Sequence, residues 1–222
     1  MNYLRALMNS DEIEHIELCR HKLEEALKKL VVGIGDIPIG DGEQHLPFGW
    51  RKAAKGRTVW RILEEVISQN LEKCFLKFDL LDFEPASSEV GVYDFRFSTK
   101  EEKNIYVNIK SAVKGGRTNK DDISKAEKLK DFFIEFPSSV LLIATIVIEF
   151  LENPTAVRLS DCAVVPITWL PDIYVNPSNN GNLQSSKYKE LDSAIRRTNS
   201  EFVRELTEQM RIARQKKLDK KR

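Results

Sequence analysis

VYDFRFSTKEEKNIYVNIKSAV, residues 92–113, holds two alternating runs around a polar centre. Side chains alternate between the faces of a strand, so each run sorts into two sets. In the second run Ile105, Val107 and Ile109 share one face, while Tyr106, Asn108 and Lys110 share the other. In the first, Val92, Asp94 and Arg96 lie opposite Tyr93, Phe95 and Phe97. The polar segment 98–103 reads as the turn of a hairpin. The pairing places Asp94 beside Asn108 and Lys110 and turns Ile109 into the core.

Outward from this hairpin the chain alternates helices and strands. Residues 11–30 carry Ile13, Ile16, Leu18, Leu23, Ala26, Leu27 and Leu30 at mostly helical spacing, with Ser10 or Asp11 as cap. Residues 33–49, with Gly35, Pro38, Gly40 and Gly42, read as a long loop. A second helix is expected over 58–75, capped by Thr58, and an extended segment over 76–85. Residues 114–122 form a Gly- and Lys-rich loop, and 124–136 look helical. VLLIATIVIEF, residues 140–150, is a β-branched run suited to a strand buried on both faces. Another strand or strand pair follows at 156–170, then a polar loop at 176–186 and a long C-terminal helix over 189–217. Strands bracketed by helices make an α/β or α+β domain.

Composition narrows the classes. The 222 residues suit one sizeable domain, residues 1–222, with 1–55 as a helical and loop region suited to dimerisation or DNA wrapping. Apolar residues make up 41% and charged residues 31%, and the net charge is +1. Bulk charge therefore selects no partner, and a nucleic-acid face must come from local clusters. Cys19, Cys74 and Cys162 are odd in number and far apart, which suits free thiols in a reducing compartment rather than disulfides or zinc. The start carries no secretory pattern, and the longest apolar stretch, residues 140–151, is too short to span a bilayer and contains Glu149. A cytoplasmic protein with no membrane contact is expected. His15 and His21 have no acid or Cys partner at ligand spacing, and all three histidines read as structural or surface residues.

The polar face of the hairpin carries chemistry. An acid, a gap of about a dozen residues, then an acid two before a Lys is what phosphodiester hydrolysis needs, and here Asn108 stands at the second acid's place. Carboxylates hold Mg²⁺ through oxygen. The metal lowers the pKa of a bound water, and the Lys ammonium stabilises charge on the phosphate. The bare spacing is a weak signal, and an ordinary amphipathic hairpin with a solvated polar face shares it. The helix at 58–75 adds Glu64 and Glu65. At about 100° per residue, Val59, Leu63, Val66, Ile67, Leu71 and Cys74 form an apolar stripe. Glu64 lies at its edge and Glu65 points away, so Glu64 is the expected helical carboxylate.

Three stretches resemble the type II restriction endonucleases of the PD-(D/E)xK superfamily, in their EcoRV-like, blunt-cutting branch. VYDFRF followed by IYVNIKSAV is similar to the family's two catalytic strands. The upstream helix offers its Glu, and YVNPSNNGNLQ is similar to the Asn- and Gly-rich recognition loop. The resemblance covers roughly residues 56–210, mostly as an order of elements. It implies a restriction-endonuclease-like core, with a central mixed β-sheet flanked by helices. It also implies a prokaryotic cytoplasmic homodimer that cuts both strands of a short palindromic double-stranded DNA site with Mg²⁺. Asp94 matches the first metal-binding acid and Lys110 the catalytic lysine. The catalytic set is Asp94, Asn108, Lys110 and Glu64, and the metal set Asp94, Asn108, Glu64 and Ile109. Asn108 falls where the family has Asp, and a neutral carboxamide is the weaker Mg²⁺ ligand. Either Asn108 replaces a native acid, in an inactivated or weakened form, or it is native and Glu64 or another acid compensates.

Two loops are candidate DNA contacts. Glycines let a backbone approach phosphate, and Lys and Arg supply charge. Ser111, Lys114, Gly115, Gly116, Arg117 and Asn119 fit that role, against a plain solvated turn. Asn179, Asn180, Gly181, Asn182 and Gln184 include side chains that can pair with adenine edges, against a simple turn. Gln44 and His45 are weaker candidates, and the seven Lys or Arg of residues 211–222 read as a solvated end or a phosphate contact. Two other functions share this scaffold: a non-catalytic DNA-binding protein, and a repair or junction nuclease that reads DNA structure.

Overall fold

The computed structural model describes residues 2–40, 42–46, 48–50, 55–87, 91–116, 120–179 and 181–220, with side chains described outside 2–9, 42–43 and 55–58. Helices are α1 (Asn2–Ile34), α2 (Gly42–His45), α3 (Lys55–Cys74), α4 (Ala126–Glu135) and α5 (Asn199–Asp219). Strands are β1 (Asp36–Pro38), β2 (Leu81–Pro85), β3 (Phe95–Ser98), β4 (Ile105–Val113), β5 (Asp121–Lys125), β6 (Val140–Leu151), β7 (Ala156–Pro166), β8 (Tyr174–Val175) and β9 (Asn182–Ser185). The architecture is mixed α/β: a curled six-stranded mixed sheet in the order β1-β7-β6-β4-β3-β2, flanked by helices, beside a three-stranded sheet β5-β9-β8.

The buried β-branched run forms the middle of the large sheet. β6 pairs parallel with β4 and antiparallel with β7. Both of its faces are covered, so it reads as a continuous apolar run. On one face α1 presents Ile16, Cys19, Leu23, Leu27 and Leu30, and α3 presents Val59, Leu63, Ile67 and Leu71. These three- and four-residue steps make one helical stripe each. Ile105, Val107 and Ile109 of β4 join that core. On the opposite face Tyr106, Leu141 and Ile143 meet α4 and α5 through Phe132, Phe133, Phe202 and Leu206. The Cys19 and Cys162 thiols are free and buried, and burial pushes both up to about 12, which leaves them unreactive.

Several elements differ from the sequence expectation. α1 extends through Ser10 and Asp11, so neither caps it, and Thr58 lies inside α3 rather than at its start. The expected loop 33–49 includes the end of α1, the edge strand β1 paired with β7, and α2. The expected strand at 92–97 begins only at Phe95. The polar loop at 176–186 contains β9, which joins β5 and β8. The C-terminal helix starts at Asn199, because Thr198 and Glu201 form a reciprocal capping box there. His15 does find partners: Glu102 Oε2 lies 2.9 Å and Cys19 Sγ 3.8 Å from its Nε2. Among the described residues no helix is long and apolar enough to cross a membrane.

α3 sets where its acids stand, and Leu63 anchors it with 2% exposure. Leu63→Ala is expected to cost about 2–5 kcal/mol, through lost contacts and the cavity left behind. Urea denaturation monitored by circular dichroism measures this, and an unchanged midpoint would show that α3 does not depend on this contact.

Candidate active site

β3 and β4 pair antiparallel, with Phe95 opposite Val107 and Arg96 opposite Tyr106. Asp94 sits just before β3, its amide donating to the Val107 carbonyl at 2.8 Å. Its carboxylate Oδ2 accepts the Ile109 backbone N–H at 2.6 Å. This bond fixes the acid against the second strand. Asn108 is 9% exposed, and its Nδ2 donates to the Val92 carbonyl at 3.2 Å. Its Oδ1 is buried and has no hydrogen-bond partner among the described residues. Lys110, two residues on, is half-buried.

These three residues line a cleft of about 580 Å³ together with Glu64 and Glu65 of α3. Glu64 is half-buried, whereas Glu65 is exposed and accepts from Gln69 Nε2 at 2.7 Å. The Ile109 side chain lies in the core at 3% exposure, so only its backbone is open to the cleft. The structure thus brings Asp94, Asn108, Lys110 and Glu64 together.

The cleft perturbs its acids. Burial first, and then the Asp94 carboxylate, raise Glu64 to about 7 against the opposing charges of Lys110 and Arg61. Asp94 reaches solvent through the cleft mouth, yet enough protein surrounds it that desolvation raises its pKa, against the Ile109 N–H and the Lys110 charge. Two acids pushed upward beside a lysine in a cleft mark a candidate site, since raised carboxylates add nothing to stability at neutral pH.

Glu64 gives a pH signature. Its folded pKa lies above its unfolded one, so the folded state binds the extra proton between about 4.5 and 7. Metal-free stability therefore falls as pH rises through that window. Glu64→Gln, uncharged at every pH, is expected to raise the metal-free Tm on the order of 2–4 °C at pH 8. The difference should vanish below about pH 4.5, where both proteins are neutral at this position. Thermal melts in EDTA at pH 4, 6 and 8 check the sign, and a lower Tm for the variant at pH 8 would contradict it.

Other residues of the cleft escaped the sequence pattern. Trp60 and Arg61 line it from α3, with the Arg61 guanidinium 4.7 Å from the Trp60 ring centroid. Trp60, Glu64 and Ser68 step by four along one helical face, so that spacing could have marked them. The opposite wall comes from β5, α4 and β9, through Asp122, Ser124, Lys125, Lys128 and Asn182.

The predicted DNA-contact residues are placed unevenly. Ser111 and Lys114 do not line the cleft, and Lys114 Nζ is held by Glu149 at 3.0 Å. Gly115 takes φ +67°, and at Gly116 a Cβ would meet the Val113 carbonyl at 2.8 Å, so this turn needs its glycines. Asn182 reaches the cleft, and Gly181 turns the β8–β9 connection with φ +72°. Asn179 and Gln184 both donate to Asp122. Arg117, Asn119 and Asn180 lie outside the described residues.

The chain matches no protein-family profile and no curated protein.

Proposed function

We propose that the chain is a divalent-metal-dependent endodeoxyribonuclease on a restriction-endonuclease-like core. One observation carries the proposal: Glu64, Asp94, Asn108 and Lys110, from α3 and two paired strands, converge in one cleft. The opposite wall supplies Lys125 and Lys128 for a polyanion.

The donor set suits Mg²⁺. Among the described residues no group of three or more His, Cys, Asp or Glu forms a metal cage. A cation would rely on Asp94, Glu64, the buried Asn108 Oδ1 and water. Those are hard oxygens, and Mg²⁺ characteristically takes one or two carboxylates and keeps several waters. The orphaned Asn108 oxygen is a buried acceptor that a cation would satisfy. Bound there, Mg²⁺ would neutralise phosphate charge and lower the pKa of a water.

The chain's own groups divide the remaining work. Lys110 places an ammonium where charge builds on the scissile phosphate. Glu64, raised to about 7 in the metal-free cleft, would be drawn to its charged form by a bound cation and so would serve as a ligand. Asp94 is held by the Ile109 N–H and keeps its Oδ1 for the cleft. The resemblance implies a short palindromic duplex site, gripped by two copies of the chain in a prokaryotic cytoplasm, with the Asn-rich hairpin beside the cleft as its reader. Residues 1–55 are available for the contact between copies.

The test is cleavage of a mapped plasmid by the purified chain and by its Asn108→Asp variant. Discrete fragments in Mg²⁺ and none in EDTA are expected, with loss of cutting in Asp94→Ala. Intact plasmid under all conditions would sink the proposal. The neutral Asn108 favours a second reading, a DNA-binding protein without catalysis, which predicts equal duplex affinity with and without Mg²⁺ or Ca²⁺. A junction or repair nuclease would instead prefer branched or damaged DNA over the short duplex.

A further inference from the structure

Asp122 is an acid in a cleft that, on the endonuclease reading, takes DNA. A carboxylate there opposes phosphate, so its presence asks for a compensating role. Both of its oxygens are engaged by amides of the Asn-rich hairpin. Oδ2 accepts from Asn179 Nδ2 at 2.6 Å, and Oδ1 accepts from Gln184 Nε2 at 2.7 Å. Gln184 Oε1 in turn accepts from Asn176 Nδ2 at 3.2 Å, and Asn176 Oδ1 accepts the Ser178 N–H at 2.9 Å. One carboxylate thus orders three amides across the small sheet.

Strand register explains why the residues meet. Asp122 lies opposite Gln184 in the β5–β9 pair, and Tyr174 lies opposite Gln184 on the other side. Directly paired residues share a face. Lys120, two residues before Asp122, sets its ammonium 4.2 Å from the Tyr174 ring centroid on that face. The other face is core: Ile123, Leu183 and Val175 are buried with α5. The polar face is therefore held by Asp122 while the apolar face fixes the sheet.

The network changes what the hairpin can read. A free Gln or Asn pairs bidentately with adenine through one donor and one acceptor. Gln184 has one N–H and its oxygen engaged, which fixes the plane of its amide and leaves its second N–H to face a ligand. Asn179 directs one N–H to Asp122, which fixes the plane of its amide and leaves its second N–H and its Oδ1 for a ligand. Hydrogen bonds to a charged acceptor are stronger than neutral ones, so this orientation is well held.

We propose that Asp122 is a specificity-determining positioning residue, which fixes the planes of the Asn179 and Gln184 amides so that the hairpin offers one hydrogen-bond pattern to base edges in the major groove. The proposal rests on the endonuclease reading above.

The experiment compares wild type, Asp122→Ala and Asn179→Ala on a duplex library with a randomised core in Mg²⁺, sequencing the cut ends. Wild type is expected to cut one short site. Asp122→Ala should still cut, with discrimination between that site and its single-base variants lowered by about tenfold at one or more positions. Asn179→Ala should relax a position that Asp122→Ala also relaxes, and it decides the question if Asp122→Ala does not fold. Thermal melts on each variant separate lost orientation from lost stability. Unchanged discrimination in folded Asp122→Ala, or relaxation at unrelated positions in the two variants, overturns this proposal alone. Failure of both the chain and its Asn108→Asp variant to cut any duplex overturns it together with the endonuclease reading.

Discussion

Lys110→Ala is expected to slow duplex cleavage on the order of 10³-fold at saturating Mg²⁺, with duplex affinity changed only a few-fold. A preorganised cation aimed at developing charge acts mainly in the transition state, and removing one such group commonly costs on the order of 10²–10³. Affinity is spread over many phosphate contacts, so the loss of one lysine weakens it little. The substitution has a second consequence. The Lys110 charge lowers the pKa of both Glu64 and Asp94. Without it both acids should ionise at higher pH, so residual cleavage should rise with pH over a range displaced upward from wild type. Single-turnover rates from pH 6 to 9, beside filter-binding affinities in Ca²⁺, read the two effects separately. Lys110→Ala cutting within tenfold of wild type would move the chemistry out of this cleft.

How far the sequence foretold this cleft depends on the range of the interactions that built it. Alternation along 105–110 was legible because Ile105, Val107 and Ile109 turn into one core while Tyr106, Asn108 and Lys110 take the other face, and side-chain period alone sorts them. The separation of Glu64 from Glu65 was equally legible, since an apolar stripe anchored by Leu63 and Ile67 leaves the two acids on different bearings. The start of β3 was not. Val92 and Tyr93 both pack against the α4 and α5 side, whereas strand alternation would divide them between faces. That bend is held by the Asn108 amide on the Val92 carbonyl, a contact sixteen residues apart. The small sheet was hidden for a different reason. β8 and β9 hold two and four residues, and NLQS has no apolar alternation strong enough to outweigh its turn composition. Its polar order comes from Asp122, more than fifty residues away from the amides it binds. One signal was present and passed over. Thr198 and Glu201 stand at capping-box spacing, and they place the start of α5 well after residue 189.

Asn108→Asp separates the two accounts of that position, because the change acts in opposite directions with and without metal. In EDTA the variant should be less stable by roughly 1–3 kcal/mol. It loses the only donor that the Val92 carbonyl receives from this side chain, and it buries an anion close to Asp94 and Glu64. An aspartate in the same rotamer would also set oxygen against oxygen at Val92, so the local structure accommodates Asn better than Asp when no cation is present. With Mg²⁺ the balance reverses. A third anionic oxygen in place of a neutral one should lower the Mg²⁺ concentration for half-maximal cleavage by about tenfold or more, a gain of at least roughly 1.4 kcal/mol in metal affinity. The Tm should therefore rise more steeply with Mg²⁺ in the variant than in wild type, since binding to the folded state alone stabilises by mass action. Urea midpoints in EDTA, Tm against Mg²⁺ and cleavage against Mg²⁺ make the three readings. A variant that loses stability without gaining metal affinity would show that position 108 holds the bend before Asp94 and does not face the ion. A variant that cuts at lower Mg²⁺ while losing metal-free stability would place the Asn108 oxygen beside the metal, and would make its amide the residue that keeps the empty cleft folded.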